Sequence, residues 1–188
     1  SGGRGHGNGT GGARSHAAST YATSYSYGGH GGGAPGAPFR PAATSLLQVP
    51  RNDLRHAAWM AGLTPDMVAA WQIPEVSLHV VTNNRLLGLR RLCRSLLAAR
   101  YLGDRVAVHF HVDVDADDAL TDYLLAFPWP HGPKEIHRRV RRGGLIAAVT
   151  ESFHPATPHQ YAVLLEEDVE VSPLYYSWVK HALLRYRY

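Results

Sequence analysis

The sequence is poor in the features that mark disulfide-rich, membrane-spanning and strongly charged proteins. It has 188 residues and one cysteine, Cys93, which excludes an intrachain disulfide framework. No apolar run approaches the roughly 18 residues that a membrane-spanning helix needs, and no basic-then-apolar signal sequence opens the chain. The net charge of +4 is a mild basic excess, which suits an anionic ligand but does not by itself indicate nucleic acid.

Aliphatic side chains are almost missing from residues 1–44, which consist mainly of Gly, Ala, Ser, Tyr, His and Pro. Such a segment cannot bury enough apolar surface to offset the conformational entropy that ordering would cost. We therefore predict a disordered, low-complexity tail. Its tyrosines and arginines, Arg4 and Arg14 among them, leave RNA binding by the tail as an alternative, but so few cations make nucleic acid an unfavoured partner.

Residues 45–75 predict a short helical linker or stem. Asn52 is expected to cap a helix that ends at Gly62, and Thr64 a second helix with Pro65 in its first turn. The pair of helices superficially suggests a helix-turn-helix motif. No basic recognition helix follows, however, so the pattern does not favour DNA binding.

Strand and helix patterns alternate from residue 75 to residue 188. Apolar, β-branched runs begin near Val76, Arg105, Lys134 and Tyr161, and helical patterns separate them. This alternation predicts a Rossmann-like α/β domain with a mostly parallel sheet flanked by helices. Cys93 lies on the apolar face of the first of these helices, so we expect it to be a core residue.

Polar side chains follow each of the four predicted strands. In parallel α/β sheets, ligands bind beyond the carboxyl ends of the strands, and parallel order would bring all four groups to one edge. The adjacent carboxylates after the last strand repel one another unless solvent or a cation separates their charges. We therefore predict a nucleotide-diphosphate site at this edge, built from Asn83, Asn84 and Arg85; Asp113 and Asp115; Arg141 and Arg142; and Glu166, Glu167 and Asp168.

Two histidines of the second predicted strand, His109 and His111, share one face of that strand. Their spacing is compatible with metal chelation. Because no third soft ligand stands nearby in the sequence, a packing role is favoured over a metal site.

The acidic stretch YAVLLEEDVEVSPLYYSW, residues 161–178, resembles the metal and nucleotide-sugar motif of GT-A glycosyltransferases. The likeness is greatest to the family-2-like and N-acetylglucosaminyltransferase I-like enzymes. In that motif the last acid contacts the divalent ion that holds the donor's diphosphate, and the preceding acids face ribose and sugar. The resemblance implies that Asp168 binds Mn²⁺ or Mg²⁺ and that Glu166 and Glu167 lie beside the donor.

The first strand and helix, residues 76–99, resemble the opening of the same domains, where the residue before an Arg contacts the nucleobase. By position this residue is Asn84, with Arg85 next to it; a helix N-cap is the alternative for Asn84. Asp113 stands where relatives hold base or ribose; the alternative role for Asp113 is that of a solvated acid in a turn. Arg141 and Arg142 are candidates for neutralising phosphate; the alternative for these two arginines is a solvated basic turn.

The resemblance covers residues 75–188 and implies the nucleotide-binding half of a glycosyltransferase that uses a UDP- or GDP-linked sugar. The acceptor would carry a hydroxyl group on a glycan, protein or lipid. The chain starts at Ser1 rather than Met and stops one helix past the acidic motif, before the region where similar families carry a catalytic base. We therefore expect a fragment that is inactive alone. Any anchor upstream would fit a Golgi or secretory membrane. A non-catalytic binding or scaffold protein with the same fold is the alternative.

Overall fold

The computed structural model describes residues 47–188, so the predicted tail over residues 1–44 lies outside the described residues. The first described segment holds two 3₁₀ helices, Arg51–His56 and Ala58–Gly62, and a short helix α1, Pro65–Ala69. Thr64 caps α1 as predicted, because its Oγ1 accepts a hydrogen bond of 3.3 Å from the backbone N–H of Met67.

Asn52 does not cap a helix, which corrects the prediction for this residue. It lies inside the first 3₁₀ helix, whose N-cap position is Pro50. The guanidinium of Arg100 donates to the carbonyl oxygen of Asn52 at 3.0 Å and to Oδ1 of the neighbouring Asp53 at 2.7 Å. These tertiary contacts, invisible in a local pattern, hold the segment in place.

The α/β alternation that the sequence predicts is confirmed over the rest of the chain. No helix among residues 47–188 has both the length and the hydropathy of a membrane span. The elements that follow α1 are β1 (Glu75–Thr82), α2 (Leu86–Ala98), β2 (Ala107–Val112), α3 (Asp118–Ala126), β3 (Lys134–Arg138), α4 (Gly144–Thr150), β4 (Gln160–Glu166) and α5 (Tyr175–Arg187).

The four strands form one sheet in the order β3-β2-β1-β4, and every neighbouring pair is parallel. The register aligns Thr82 with Val112, Val112 with Arg138, and Val81 with Glu166. All four strands therefore end at the same edge, which places the polar residues after each strand together.

The two faces of the sheet differ sharply in chemistry. One face presents aliphatic and aromatic side chains, Leu78, Val80 and Phe110 among them, which are fully buried under the helices. Cys93 of α2 belongs to this core, as predicted. The other face presents polar side chains such as His79, and it is only partly covered, by the segment after α4, where the ring of Phe153 packs on His79 at 5.1 Å.

Candidate functional site

A cavity of about 270 Å³ opens where the strands end. Its walls come from the carboxyl ends of three strands, from the turn after β3 and from α4, because the parallel register brings these ends to one edge. The polar residues that line it are Thr82, Asn83 and Arg85 at or after the end of β1; His111 and Asp113 at or after the end of β2; Arg139 and Arg142 after β3; and Glu166 and Glu167 at or after the end of β4.

The cavity gathers most of the residues that the sequence predicts for a nucleotide-diphosphate site. Four of the ten predicted residues lie outside its lining: Asn84, Asp115, Arg141 and Asp168. Asn84 is exposed and does not cap α2, whose N-cap position is Arg85 without a side-chain cap. Arg141 lines the wider cavity over the polar face of the sheet. The assignment of these ten residues to ligand binding stays a prediction.

The acidic tip of β4 is partly neutralised by one arginine. Nη1 of Arg85 donates to Oδ2 of Asp168 at 2.8 Å, and its Nε lies 3.9 Å from Oε1 of Glu167. The Glu167 side chain is only 12% exposed. Burial raises the pKa of Glu167, and Asp168 adds to the rise, whereas backbone N–H groups and Arg85 oppose it. This site favours a positive charge between Glu167 and Asp168.

Two polar atoms at the end of β1 are buried without a hydrogen-bond partner among residues 47–188: Thr82 Oγ1 and Asn83 Oδ1. Both residues line the cavity. More than about 90% of buried polar groups in proteins are hydrogen-bonded, so two unpartnered oxygens at one cavity wall point to a ligand or water there. Asn83 was predicted from its position after the strand, whereas Thr82 was not, because it is the last residue of the strand itself.

Arg139 is a second cavity residue that was not predicted from the sequence. Its Nη2 donates to the carbonyl oxygen of Ala147 and to Oε2 of Glu151, both at 2.7 Å, so α4 and its C-cap residue hold the guanidinium at the cavity. Strand β3 ends at Arg138. Arg139, rather than Arg141, is therefore the first residue beyond the strand.

The polar face of the sheet carries four stacked imidazoles under an open cavity of about 1240 Å³. Ring centroids of His79 and His109 lie 4.6 Å apart, and those of His111 and His137 lie 5.0 Å apart. Burial, together with the neighbouring imidazoles, lowers the pKa of both His79 and His111 to about 4. No third ligand is near His109 in the sequence, but β2–β3 pairing places Glu135 and His137 beside it in the fold.

Comparison with known proteins gives a family and a partial likeness in fold. No curated protein sequence matches this chain. The crystal structure of S. aureus TarS 1–349 is similar at 12% identity and a TM-score of 0.46, over 60% of this chain and 33% of that chain. The chain thus spans about a third of that structure, and so partial a likeness is silent on substrate and reaction. A family model described as the SPBC1E8.03c C-terminal domain matches residues 82–188, more than half of the sequence, and the chain belongs to that family.

Proposed function

We propose that residues 75–188 form the nucleotide-sugar-binding domain of a metal-dependent glycosyltransferase. Its parent reaction would transfer a sugar from a UDP- or GDP-linked donor to a hydroxyl acceptor. One observation carries the proposal: four parallel strand ends bring arginines, an aspartate and an acidic pair to a single edge, at a cavity of about 270 Å³. A nucleoside diphosphate needs these groups together, since it combines anionic phosphates with ribose hydroxyls.

Arginines supply the phosphate-binding part of the site. Arg85, Arg139 and Arg142 all line the cavity, and a guanidinium fork matches two phosphate oxygens at once. Arg142 pairs with Asp115 at 3.2 Å, but both side chains are exposed. Exposed ion pairs contribute little free energy, so Arg142 can exchange Asp115 for a phosphate at small cost.

Asp113 supplies the ribose-binding part. It is half-buried at the end of β2, and its Oδ1 accepts a hydrogen bond of 2.7 Å from the backbone N–H of Val114. That bond fixes the orientation of the carboxylate at the cavity wall. A carboxylate held in this way accepts hydrogen bonds from ribose hydroxyls, as the resemblance to GT-A domains implies for Asp113.

The residues at the acidic tip fit a divalent cation such as Mn²⁺ or Mg²⁺. Glu167 and Asp168 follow the end of β4, and Asn83 follows the end of the neighbouring β1, so these side chains offer oxygen ligands, which Mg²⁺ and Mn²⁺ prefer. The unpartnered Asn83 Oδ1 is a ready ligand atom. When bound, the cation supplies Lewis-acid stabilisation of the negative charge on the diphosphate leaving group.

The ion pair between Arg85 and Asp168 also supports a second candidate function. A site whose acids are already neutralised by an arginine can bind a nucleotide without metal. In that case the domain would be a non-catalytic binding module. The two candidates differ in one measurable property, the dependence of nucleotide affinity on the divalent ion.

Isothermal titration calorimetry with UDP- and GDP-sugars, with and without Mn²⁺, tests the proposal. We expect metal-dependent binding that Asp168→Asn weakens by about tenfold or more, the equivalent of about 1.4 kcal/mol. Glu170→Gln is the matched control, because Glu170 is an exposed acid two residues away that pairs loosely with Arg91 at 3.9 Å. Metal-independent binding that ignores Asp168→Asn would favour the binding module. No nucleotide binding under either condition would refute both candidates.

Gly88 offers a test of the site that leaves its charges intact. A Cβ at this position of α2 would lie 2.8 Å from the carbonyl oxygen of Glu167, closer than real Cβ atoms approach backbone oxygens. We expect Gly88→Ala to displace the acidic tip and to weaken nucleotide binding by about tenfold, as measured by calorimetry. Stability should change less, because alanine favours the helix by about 1 kcal/mol. Unchanged affinity would mean that the position of the tip does not matter for binding.

A further inference from the structure

Three ligand atoms on the polar face of the sheet form a nearly equilateral triangle. Nδ1 of His109 lies 3.2 Å from Nε2 of His137 and 3.3 Å from Oε2 of Glu135, and the same Oε2 lies 3.4 Å from Nε2 of His137. From this triangle we propose that His109, Glu135 and His137 bind a Zn²⁺-type transition-metal ion. This site is distinct from the proposed nucleotide site at the strand ends.

Strand pairing builds the triangle. His109 of β2 stands directly opposite Glu135 of β3, and His137 follows two residues after Glu135, so all three side chains point from one face. The rigid ladder of two parallel strands fixes the spacing of the three side chains. Among residues 47–188, this is the group of His, Cys, Asp and Glu whose ligand atoms come within metal-binding range of one another.

The two sides of the triangle that end at Glu135 are longer than good hydrogen bonds. Good N–H···O hydrogen bonds are about 2.7–3.2 Å long, and those to a charged group about 2.7–2.9 Å. Both distances from the imidazoles to the Glu135 carboxylate exceed these lengths, at 3.3 and 3.4 Å. Ligands about 2.05 Å from a tetrahedral Zn²⁺ are separated by about 3.3 Å from one another, which is the separation found here. An ion can therefore lie about 2 Å from all three atoms without any strand moving.

The donor set indicates the kind of ion. Two imidazole nitrogens and one carboxylate oxygen suit Zn²⁺ and neighbouring late transition metals, whereas Mg²⁺ and Ca²⁺ prefer oxygen alone. Structural zinc sites use four protein ligands, while sites with three keep one position for water or substrate. All three side chains line the open cavity of about 1240 Å³. The fourth position would face this cavity and take a water molecule or an anionic ligand.

The other two imidazoles of this face, those of His79 and His111, stack on the two histidines of the triangle. The ring of His79 stacks on that of His109 at 4.6 Å between centroids, and that of His111 stacks on His137 at 5.0 Å. Nδ1 of His79 and Nε2 of His111 lie 3.0 Å apart, so these rings bond to each other. His109 and His137 make a similar contact at 3.2 Å, but Glu135 lies beside this pair and adds a third ligand atom.

Zinc titration of the full chain tests the proposal. The protein is first freed of metal by a chelator and then titrated with Zn²⁺ against a chromophoric competitor at pH 7.5. We expect the parent protein to bind one Zn²⁺ ion tightly. The Zn²⁺ affinity should be at least about 100-fold lower in Glu135→Gln and in His137→Asn, since replacing even a residue that only contacts a metal ligand lowers metal affinity by 10–100-fold. Co²⁺ in place of Zn²⁺ should give the intense visible absorption of a four-coordinate ion.

His154→Asn is the matched control, because His154 is exposed and lines the same cavity but lies outside the triangle. The His154→Asn protein should still bind one Zn²⁺ ion tightly. Histidines of residues 1–46 are common to all variants, so the difference in Zn²⁺ affinity between variants reports on the sheet site alone.

Glu135→Gln is the deciding variant. The Glu135 side chain is 54% exposed and the substitution preserves its shape, so a change in Zn²⁺ affinity cannot be attributed to loss of the fold. The absence of tight Zn²⁺ binding, or an affinity that Glu135→Gln and His137→Asn leave unchanged, would overturn the proposal. Binding of UDP should be the same in Glu135→Gln as in the parent protein, which separates this site from the nucleotide site.

Discussion

Replacing Asp104 with alanine is expected to lower the free energy of unfolding by about 3–5 kcal/mol, the effect of removing one partner of a buried ion pair. Oδ2 of Asp104 accepts hydrogen bonds of 2.7 Å from Nζ of Lys180 and from the hydroxyl of Tyr176. Lys180 is only 1% exposed, and its ammonium lies 5.0 Å from the ring centre of Trp71. Without Asp104 the ammonium would remain buried and uncompensated.

Urea unfolding followed by far-UV circular dichroism measures this effect. Asp115→Ala is the control, because Asp115 forms an exposed pair with Arg142 at 3.2 Å, and such pairs contribute about 0–1 kcal/mol. The double variant Asp104→Asn/Lys180→Met should regain much of the loss, since it removes both charges and keeps an acceptor for Tyr176. A loss below about 1 kcal/mol in Asp104→Ala would show that the pair does not stabilise the contact between α5 and the loop before β2.

Gly132→Ala is expected to destabilise the protein by about 1–3 kcal/mol or more through overpacking. A Cβ at this position would lie 2.3 Å from the carbonyl oxygen of Val106, so backbone must move against backbone. The two segments are joined here, because Val106 donates its N–H to the carbonyl oxygen of His131 at 2.8 Å. The same Val106 carbonyl accepts from Nε1 of Trp129 at 2.8 Å, so moving it disturbs a second hydrogen bond.

Gly62→Ala is the matched substitution for this second prediction, since no atom lies within 4 Å of a Cβ placed there. It should change the free energy of unfolding by no more than about 1 kcal/mol. Thermal unfolding of the two variants beside the parent protein makes the comparison. Equal midpoints for Gly132→Ala and Gly62→Ala would contradict the close approach of residues 131–133 to the start of β2.

The sequence predicted those features that depend on local pattern and on parallel topology. Alternation of strands and helices indicated the α/β fold, and the parallel sheet then brought Arg85, Asp113, Arg142 and Glu167 to one cavity. The apolar face of α2 identified Cys93 as a core residue. Each of these predictions needed only the periodicity of a single element or the rule that ligands bind at carboxyl strand ends.

The missed features depend on which residues meet across the sheet. His109 and Glu135 are 26 positions apart, and only the β2–β3 register makes them neighbours. Lys180 carries no local sign of burial, because its partner Asp104 lies 76 residues earlier in the chain. Asn52 lies inside a 3₁₀ helix rather than at its start, and Arg100, 48 residues later, binds its carbonyl oxygen. Tertiary pairing overrode local preference at each of these positions.

A titration of ¹⁵N-labelled protein with UDP and Mg²⁺, followed by amide chemical shifts, tests the proposed nucleotide site most directly. We predict that amides at the four strand ends, in residues 83–85, 113–115, 139–142 and 166–168, shift and saturate together, and only when both Mg²⁺ and UDP are present. The nucleotide site would be contradicted if no amide shifted saturably under any condition. It would be contradicted equally if the shifts were centred on the opposite edge of the sheet, at residues 74–76 and 105–107.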